Sequence, residues 1–312
     1  MEKHAYLIIA QNEFSQLKKI VSVIDDTRND IYIHIDKKVA FSEDTRQSIE
    51  KEVTHSNIYW IPRIEVNWAG PSQVQVELNL LDFAIKKDAY SYYHLMSAKD
   101  LPLQTQDYIH NYFKENSVEC VGFFNKEHFL QEKPWKRVEQ YHAFPEKSVR
   151  SFKNKFTIFT FRVYRFLEKK IQTLFKVNLW KKYNYKIGYG TNWFSISNNL
   201  ATKLISHKAE ISKAFRHSIF GDELLVQSFV LSYPQKFNLS LKINEKDDGS
   251  KRFIDWNRSD NGGPHIWRSN EFDKLVTAQE QGFLFARKFD SRFDNDTINN
   301  WVDYLKNSKT SK

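Results

Sequence analysis

Two apolar runs of strand length decide the fold: Ala5-Tyr6-Leu7-Ile8-Ile9-Ala10 and Ile31-Tyr32-Ile33-His34-Ile35-Asp36. Between them, apolar residues recur at helical spacing from Phe14 to Ile24, which predicts an amphipathic helix. Unbroken apolar strands separated by a helix are typical of parallel sheets that are covered on both faces. The sequence therefore predicts an α/β protein.

The same alternation continues through the N-terminal third of the chain. Further strands are predicted at residues 58–61 and 92–97, and a helix begins near Ser72, after the Gly70-Pro71 turn. Asp36 ends the second strand. Ligands bind at the carboxyl ends of parallel strands, so Asp36 is placed to hold a nucleoside, but an acid at this position is also a routine turn cap.

The length suits one large α/β domain or two smaller ones, and we expect a single domain over residues 1–312. The chain is 41% hydrophobic and 15% aromatic, enough to bury a large core, and it shows no repeat period. One cysteine, Cys120, cannot form an internal disulfide. No apolar run reaches the length of a signal peptide core or a membrane span, and the ten histidines lack the spacing of zinc ligands. We expect a cytoplasmic protein.

A basic, aromatic segment at about residues 147–186 is predicted to be a helical insertion. It holds twelve Lys and Arg residues against Glu168 alone, so its net charge of +11 exceeds the +9 of the whole chain. Aromatic and aliphatic residues recur there at three- and four-residue steps. Such a helix can rest on an anionic membrane, pack on the core with a solvated cationic face, or bind nucleic acid. The membrane surface is the favoured partner, which would make the protein peripheral.

Another segment that could hold a catalytic residue is Gly221-Asp222-Glu223, which precedes a buried helix pattern. Asp222 is predicted to be the N-cap, which places Glu223 in the first helical turn. A first-turn acid is commonly structural, because the helix dipole stabilises negative charge there. The alternative is a catalytic base.

Several blocks occur together in a characteristic order and carry a resemblance. The chain resembles core-2/I-branching β-1,6-N-acetylglucosaminyltransferases and their peptide O-xylosyltransferase relatives from about Tyr6 to Asp290. This resemblance implies a GT-A-like fold with a Rossmann-like mixed sheet, and inverting transfer from a UDP-sugar without an obligatory metal. The blocks are Tyr6–Ala10, Ile33–Lys38, Trp68–Ser72, Tyr92–Leu103, Trp193–Ser197, Gly221–Glu223, Arg252–Trp256 and Phe285–Asp290.

The resemblance also implies roles for individual residues. Glu223 matches the general base, Asp36 the uridine-contacting acid, and Lys288 the diphosphate-facing lysine. Trp68 falls beside the nucleotide, and Trp256 falls on the acceptor side. Candidates for a second basic group at the diphosphate are Arg268, His265, Arg287 and Arg252. Lys136 and Arg137 match basic residues that contact donor or acceptor, but a solvated basic turn is an equal alternative for them.

The chemistry explains these residue types. A positioned carboxylate removes the proton of the attacking hydroxyl, and the departing diphosphate needs either a divalent cation or basic side chains. The one Asp-x-Asp in the sequence, Asp294-Asn295-Asp296, precedes a helical pattern and is interpreted as a cap. We therefore expect no metal cofactor.

The expected function is transfer of a sugar from its UDP donor to a hydroxyl of a glycan acceptor, which would be a surface polysaccharide or a lipid-linked precursor. N-acetylglucosamine is the leading candidate for the sugar. Transfer of xylose or another sugar by the same fold is one alternative. A non-catalytic protein that binds membrane or nucleic acid on a degenerate transferase scaffold is the other, although nucleic acid is not an expected partner.

Overall fold

The computed structural model of the protein describes residues 2–183, 185–233, 235–240, 248–260 and 262–310. The strands are β1 (His4–Ala10), β2 (Asn29–Ile35), β3 (Asn57–Trp60), β4 (Tyr92–Ser97), β5 (Asp100–Pro102), β6 (Cys120–Val121), β7 (Phe194–Ser197), β8 (Arg252–Ile254), β9 (Ser259–Asp260), β10 (Gly263–Pro264) and β11 (Phe285–Arg287). The helices are α1 (Phe14–Ile24), α2 (Glu43–Glu50), α3 (Pro71–Lys87), α4 (Gln106–Asn116), α5 (Lys126–Glu132), α6 (Lys136–Glu139), α7 (Lys155–Leu174), α8 (Asn198–Ser206), α9 (Lys208–Phe215), α10 (Leu225–Ser232), α11 (Phe272–Glu280) and α12 (Asn295–Thr310).

Within these described ranges, the central sheet has six strands in the order β3-β2-β1-β4-β7-β6. Strands β1 to β4 are parallel, whereas β7 runs antiparallel to both β4 and β6. The chain builds outward from β1 to β3 on one side and then returns to place β4 on the other side of β1. This reversal opens a crevice between the carboxyl ends of β1 and β4, where α/β proteins commonly bind ligands.

Both faces of the sheet are buried, as unbroken apolar strands predict. Alternate residues of β1 enter different cores: Tyr6 and Ile8 pack on one face, while Ala5 and Leu7 pack on the other. The first core is completed by α1, α11 and α12, and the second by α3, α8 and α10. The predicted α/β architecture, with a mixed sheet flanked by helices, is confirmed.

A second, three-stranded sheet has the order β5-β11-β8. Strand β11 is antiparallel to β5 and parallel to β8, and its pairing sets Arg287 opposite Asp100. The sheet thereby brings residues from near the C-terminus to the end of β4. It supplies one wall of the crevice.

Helix α7 forms the middle half of the predicted insertion, and no side chain of this helix is buried. Its larger apolar residues are strongly exposed, including Phe156, Phe159, Phe166 and Leu174. This exposure contradicts the alternative in which the helix packs its apolar face on the core. No helix in the described part of the chain is both long enough and apolar enough to cross a membrane.

Candidate active site

A cleft of about 500 Å³ occupies the crevice between β1 and β4. Its floor includes Ile9 and Gln11 at the end of β1, and Ser97 and Ala98 at the end of β4. The walls come from the loop before α3, the loop before α10, the turn at residues 262–264 and the end of β11. Segments distant in sequence therefore meet at the edge of the sheet where the topology favours a ligand.

Two of these loops are locked together by their backbones. Phe220 donates its N–H to the carbonyl oxygen of Ala69 at 2.8 Å, and both residues adopt left-handed conformations, with φ of 51° and 70°. Non-glycine residues rarely adopt this conformation, and they do so chiefly where surrounding contacts impose it. The next residue is Gly221, where a Cβ would lie only 2.6 Å from Phe215. The loop that carries Glu223 is therefore closely packed, and its backbone conformation is restricted.

The structure corrects the local prediction for this loop. Helix α10 begins at Leu225, so Glu223 lies before the helix, and Asp222 does not cap it. Instead, Asp222 accepts a hydrogen bond from Gln73 Nε2 at 3.0 Å. The prediction was wrong because Leu224, in a non-helical conformation, is the N-cap residue. The carboxylate of Glu223 is therefore free of the helical constraint that a first-turn position would impose.

Glu223 lines the cleft, and its side chain is 30% exposed. Its Oε2 accepts a hydrogen bond from Nη1 of Arg137 at 2.5 Å. The guanidinium of Arg137 also lies over the rings of Tyr189 and Phe220, with 4.8 and 5.2 Å to their centroids. Arg137 is thus an enclosed, ion-paired residue, which contradicts the solvated-turn alternative.

Of the described residues, three further carboxyl groups line the cleft with Glu223: Glu13, Glu77 and Asp222. Glu13 pairs with Lys99 at 3.3 Å. Both Glu77 and Asp222 are buried, and each has one oxygen without a hydrogen-bond partner in the described structure, Oε2 and Oδ1 respectively. Burial, and then the charge of Asp222, raises the pKa of Glu77 well above its usual range. Burial, and then the charge of Glu223, raises the pKa of Asp222 to about 7. Sequence reasoning missed Glu77, which lies within an apolar helical pattern.

Four cations from the described part of the chain line the cleft, and they differ in how they are paired. Lys99 bonds Asp290 at 2.6 Å, and Arg287 bonds Asp100 at 2.6 Å. Lys288 and Arg150 have no ion pair within 4 Å in the described residues. Burial, and then the charges of Lys99 and Arg287, lowers the pKa of half-buried Lys288. Such a group gains from an anion beside it.

Arg150 comes from the insertion and was not predicted as a site residue. Its guanidinium stacks on Trp68, with 3.8 Å between Cζ and the ring centroid. A Cβ on Gly262 would lie 3.5 Å from Nη2 of Arg150, and a Cβ on Gly263 would lie 3.6 Å from Nζ of Lys288. The two unpaired cations therefore approach the same tight turn.

The remaining predicted basic candidates lie elsewhere. His265 engages Glu271 and Asp260 through its two ring nitrogens, at 2.6 and 3.0 Å. Arg268 lies 3.5 Å from Asp260. Neither His265 nor Arg268 lines the cleft. Arg252 is buried, and its guanidinium donates to the backbone carbonyls of residues 95, 194 and 250.

Asp36 follows β2 immediately, as predicted, and its side chain is buried. The carboxylate accepts a hydrogen bond from the Lys38 N–H at 3.0 Å and lies 3.5 Å from the N–H of Val66, a residue that lines the cleft. Both predicted tryptophans, Trp68 and Trp256, line the cleft and are about half exposed. Lys136 lines a neighbouring cavity under α7.

The Asp-x-Asp segment caps a helix, as interpreted from the sequence. Asp294 accepts the N–H of Thr297 at 2.9 Å, in the first turn of α12. Among the described residues, no three His, Cys, Asp or Glu side chains are grouped so as to hold a metal ion.

The mixed α/β sheet has a crevice at its topological switch point, lined by carboxylates and cations, and this is the position where α/β enzymes commonly bind ligands. The model of the Core-2/I-branching enzyme family matches residues 4–276. The chain belongs to this family, and it is a glycosyltransferase, whose substrates are a nucleotide-sugar donor and a glycan acceptor.

Other comparisons gave weaker or no likeness. Among solved structures, the chain is similar to core-mannan synthase A from Aspergillus fumigatus in its Mn/GDP form. The identity is 10%, the match covers 73% of this chain and 69% of that one, and the TM-score is 0.32. Comparison with curated proteins gave no significant sequence match.

Proposed function

We propose that this glycosyltransferase moves a sugar from a UDP donor to a hydroxyl of a glycan acceptor, with inversion at the anomeric carbon and without a metal ion. N-acetylglucosamine is the leading candidate for the sugar. One observation carries the proposal: Glu223, held by Arg137, opens into the same cleft as the unpaired cations Lys288 and Arg150. A carboxylate for the acceptor proton and cations for the leaving diphosphate are the two requirements of this reaction.

Glu223 is the proposed general base. As the acceptor oxygen forms its bond to the anomeric carbon, the hydroxyl proton passes to Glu223, and the bond from that carbon to the diphosphate oxygen breaks. UDP leaves with the electron pair. A base positioned in this way contributes a factor of about 10² to 10⁴ to the rate. Arg137 acts as a positioning residue, because its hydrogen bond fixes the carboxylate.

Lys288 and Arg150 are the proposed diphosphate ligands. Both lie near the Gly262-Gly263 turn, and neither forms an ion pair with an acidic side chain in the described structure. Arg287 is held by Asp100, so we propose that it orients the end of β11 more than it binds the donor. Two cations at the developing negative charge serve the role that a divalent ion serves in metal-dependent transferases.

The aromatic residues suggest how the two substrates divide the cleft. Trp68 is the proposed platform for the nucleotide, with Asp36 as the acid nearest the uracil through its contact with the Val66 loop. Trp256 is the proposed acceptor-side surface, since an exposed indole in a cleft stacks well on a sugar ring. Lys136 and Arg137 lie on the side of the neighbouring cavity and are proposed acceptor contacts.

We also propose that α7 rests on an anionic membrane from the cytoplasmic side. The exposed apolar residues of α7, interleaved with lysines and arginines, favour this interfacial position. Flotation with vesicles of phosphatidylglycerol and phosphatidylcholine tests it. We expect binding that is lost in Lys170→Glu/Lys181→Glu/Lys182→Glu, whereas equal flotation of this variant and the wild type would refute the idea.

The transfer proposal is tested by donor hydrolysis and transfer assays across UDP-sugars, run with and without a chelator. We expect turnover of UDP-N-acetylglucosamine that chelation leaves unchanged. A preference for UDP-xylose would correct the sugar, and a strict requirement for manganese would overturn the role of the cations. Absence of hydrolysis and transfer with every donor would favour the non-catalytic alternative.

A further inference from the structure

A second cavity, of about 550 Å³, lies between α7 and the body of the protein, and we call it the α7 cavity. It exists because α7 is attached by polar bridges and leaves a gap. Tyr141 and Gln172 exchange two hydrogen bonds, at 2.6 and 2.7 Å. Glu168 accepts the N–H of Ala143 at 3.0 Å, and Arg165 donates to the carbonyl of Phe144 at 2.8 Å.

The α7 cavity carries a surplus of positive charge. Its two arginines are paired with carboxylates: Arg165 with Glu168 at 2.8 Å, and Arg137 with Glu223 and, at 3.8 Å, with Glu132, which also lines the cavity. Four lysines also line it, and none of them has an ion pair within 4 Å in the described residues. Several ammonium groups around one space attract an anion and repel one another without it. These lysines are Lys133, Lys136, Lys147 and Lys169.

The cavity adjoins the proposed site of transfer. Trp68 and Phe220 line both the α7 cavity and the cleft. Arg137 lines the α7 cavity, and its guanidinium bonds the carboxylate of Glu223 in the cleft. A ligand that fills the α7 cavity can therefore extend past these residues toward the proposed base.

We infer that the α7 cavity binds a phosphate or diphosphate group of the acceptor, so that the acceptor is a phosphate-linked glycan. Lysines act as point charges suited to phosphate, and four of them exceed what a neutral sugar requires. The exposed apolar residues of α7, beside the cavity, favour a lipid as the carrier of this phosphate. The inference rests on the proposed function, since it names the acceptor class of that reaction.

Direct binding tests the inference independently of catalysis. Calorimetry with farnesyl diphosphate and with inorganic diphosphate is performed in saturating UDP, so that the donor cleft is filled. We expect one site per chain, weakened at least about tenfold in Lys147→Ala/Lys169→Ala. The matched control, Lys153→Ala/Lys186→Ala, removes the same charge from exposed positions of the insertion that do not line the cavity.

The outcomes separate the sources and the two proposals. Equal binding of both probes identifies a phosphate site indifferent to the carrier, and preference for farnesyl diphosphate identifies a lipid-linked acceptor. No binding beyond UDP, or an equal loss in the control variant, would overturn the inference. Transfer to a neutral glycoside with a KM equal to that for its lipid diphosphate counterpart would also overturn it, while leaving the transferase proposal intact.

Discussion

Arg137 and Glu223, 86 residues apart in the chain, form a hydrogen-bonded ion pair at the boundary between the cleft and the α7 cavity. The pair fixes the direction in which the carboxylate faces. It also couples a residue proposed to contact the acceptor with the residue proposed to remove the acceptor's proton. Loss of either side chain should therefore affect turnover more than folding.

Glu223→Gln is expected to lower kcat by a factor of about 10² to 10⁴, because the amide keeps the size and the hydrogen bond to Arg137 but cannot accept the proton. Donor KM and the unfolding midpoint should stay near the wild-type values. Steady-state transfer assays measure this. Glu127→Gln, an exposed acid on α5, serves as the control, and full activity of Glu223→Gln would disprove the base assignment.

Arg150→Ala is expected to raise the donor KM about tenfold or more, since a charge-assisted hydrogen bond to phosphate contributes on the order of 1.5 to 3 kcal/mol. Lys288→Ala should have an effect of similar or larger size. Arg162→Ala removes the same charge from an exposed position of α7 and should leave the donor KM unchanged. If Arg150→Ala behaves like Arg162→Ala, the diphosphate role of Arg150 is wrong.

The raised pKa of Asp222 predicts a stability that depends on pH. In the folded protein this pKa is about 7, against 3.8 for an unperturbed aspartate, so the folded state holds the proton more tightly. The free energy of unfolding should therefore fall as pH rises from about 4 to 7. The size of the effect is about 1.4 kcal/mol for each unit by which the pKa is raised. Buried Glu77, whose pKa is also raised, acts in the same direction.

Asp222→Asn should flatten this pH dependence, because an amide keeps the bond from Gln73 without the buried charge. Urea denaturation at pH 5 and pH 8 measures the free energy of unfolding at each pH. The change in this free energy between the two pH values should be smaller in the variant than in the wild type by at least about 1 kcal/mol. Asp273→Asn, in the first turn of α11, is the control. Identical slopes for Asp222→Asn and the wild type would contradict the raised pKa.

Arg252 should matter for stability and not for the donor. Its buried guanidinium satisfies three backbone carbonyls, two of them at 2.6 Å. Arg252→Ala leaves those acceptors unpaired, so the free energy of unfolding should fall by about 3 kcal/mol or more. Arg216→Ala, an exposed change, should stay within about 0.5 kcal/mol. A raised donor KM in folded Arg252→Ala would restore Arg252 as a diphosphate candidate.

Much of the fold could be predicted because its signals are local. The apolar runs of β1 and β2 and the helical spacing of α1 are visible within short windows, and the structure places all three as expected. The start of α10 was misplaced because Asp222 has the chemistry of a cap, while its actual partner, Gln73, is remote in sequence. Local propensity cannot register such tertiary competition.

The site divided in the same way. Glu223, Lys288 and both predicted tryptophans line one cleft, whereas Asp36 does not line it, and the roles of all these residues stay predictions. Arg150 escaped notice because it lies in a segment whose many cations look alike in sequence. Only the fold distinguishes it, by stacking it on Trp68. Glu77 was hidden for the opposite reason, as a single acid inside a helix that is otherwise apolar at its inward positions.

The attachment of α7 has a consequence for how this enzyme can diversify. A helix with no buried side chain contributes little to the cooperative unfolding of the core, so its amides should exchange hydrogen long before those of β1. Substitutions in α7 should therefore have little effect on the stability of the rest of the molecule. The segment that would select the acceptor can thus be remodelled while the chemistry beneath it stays fixed.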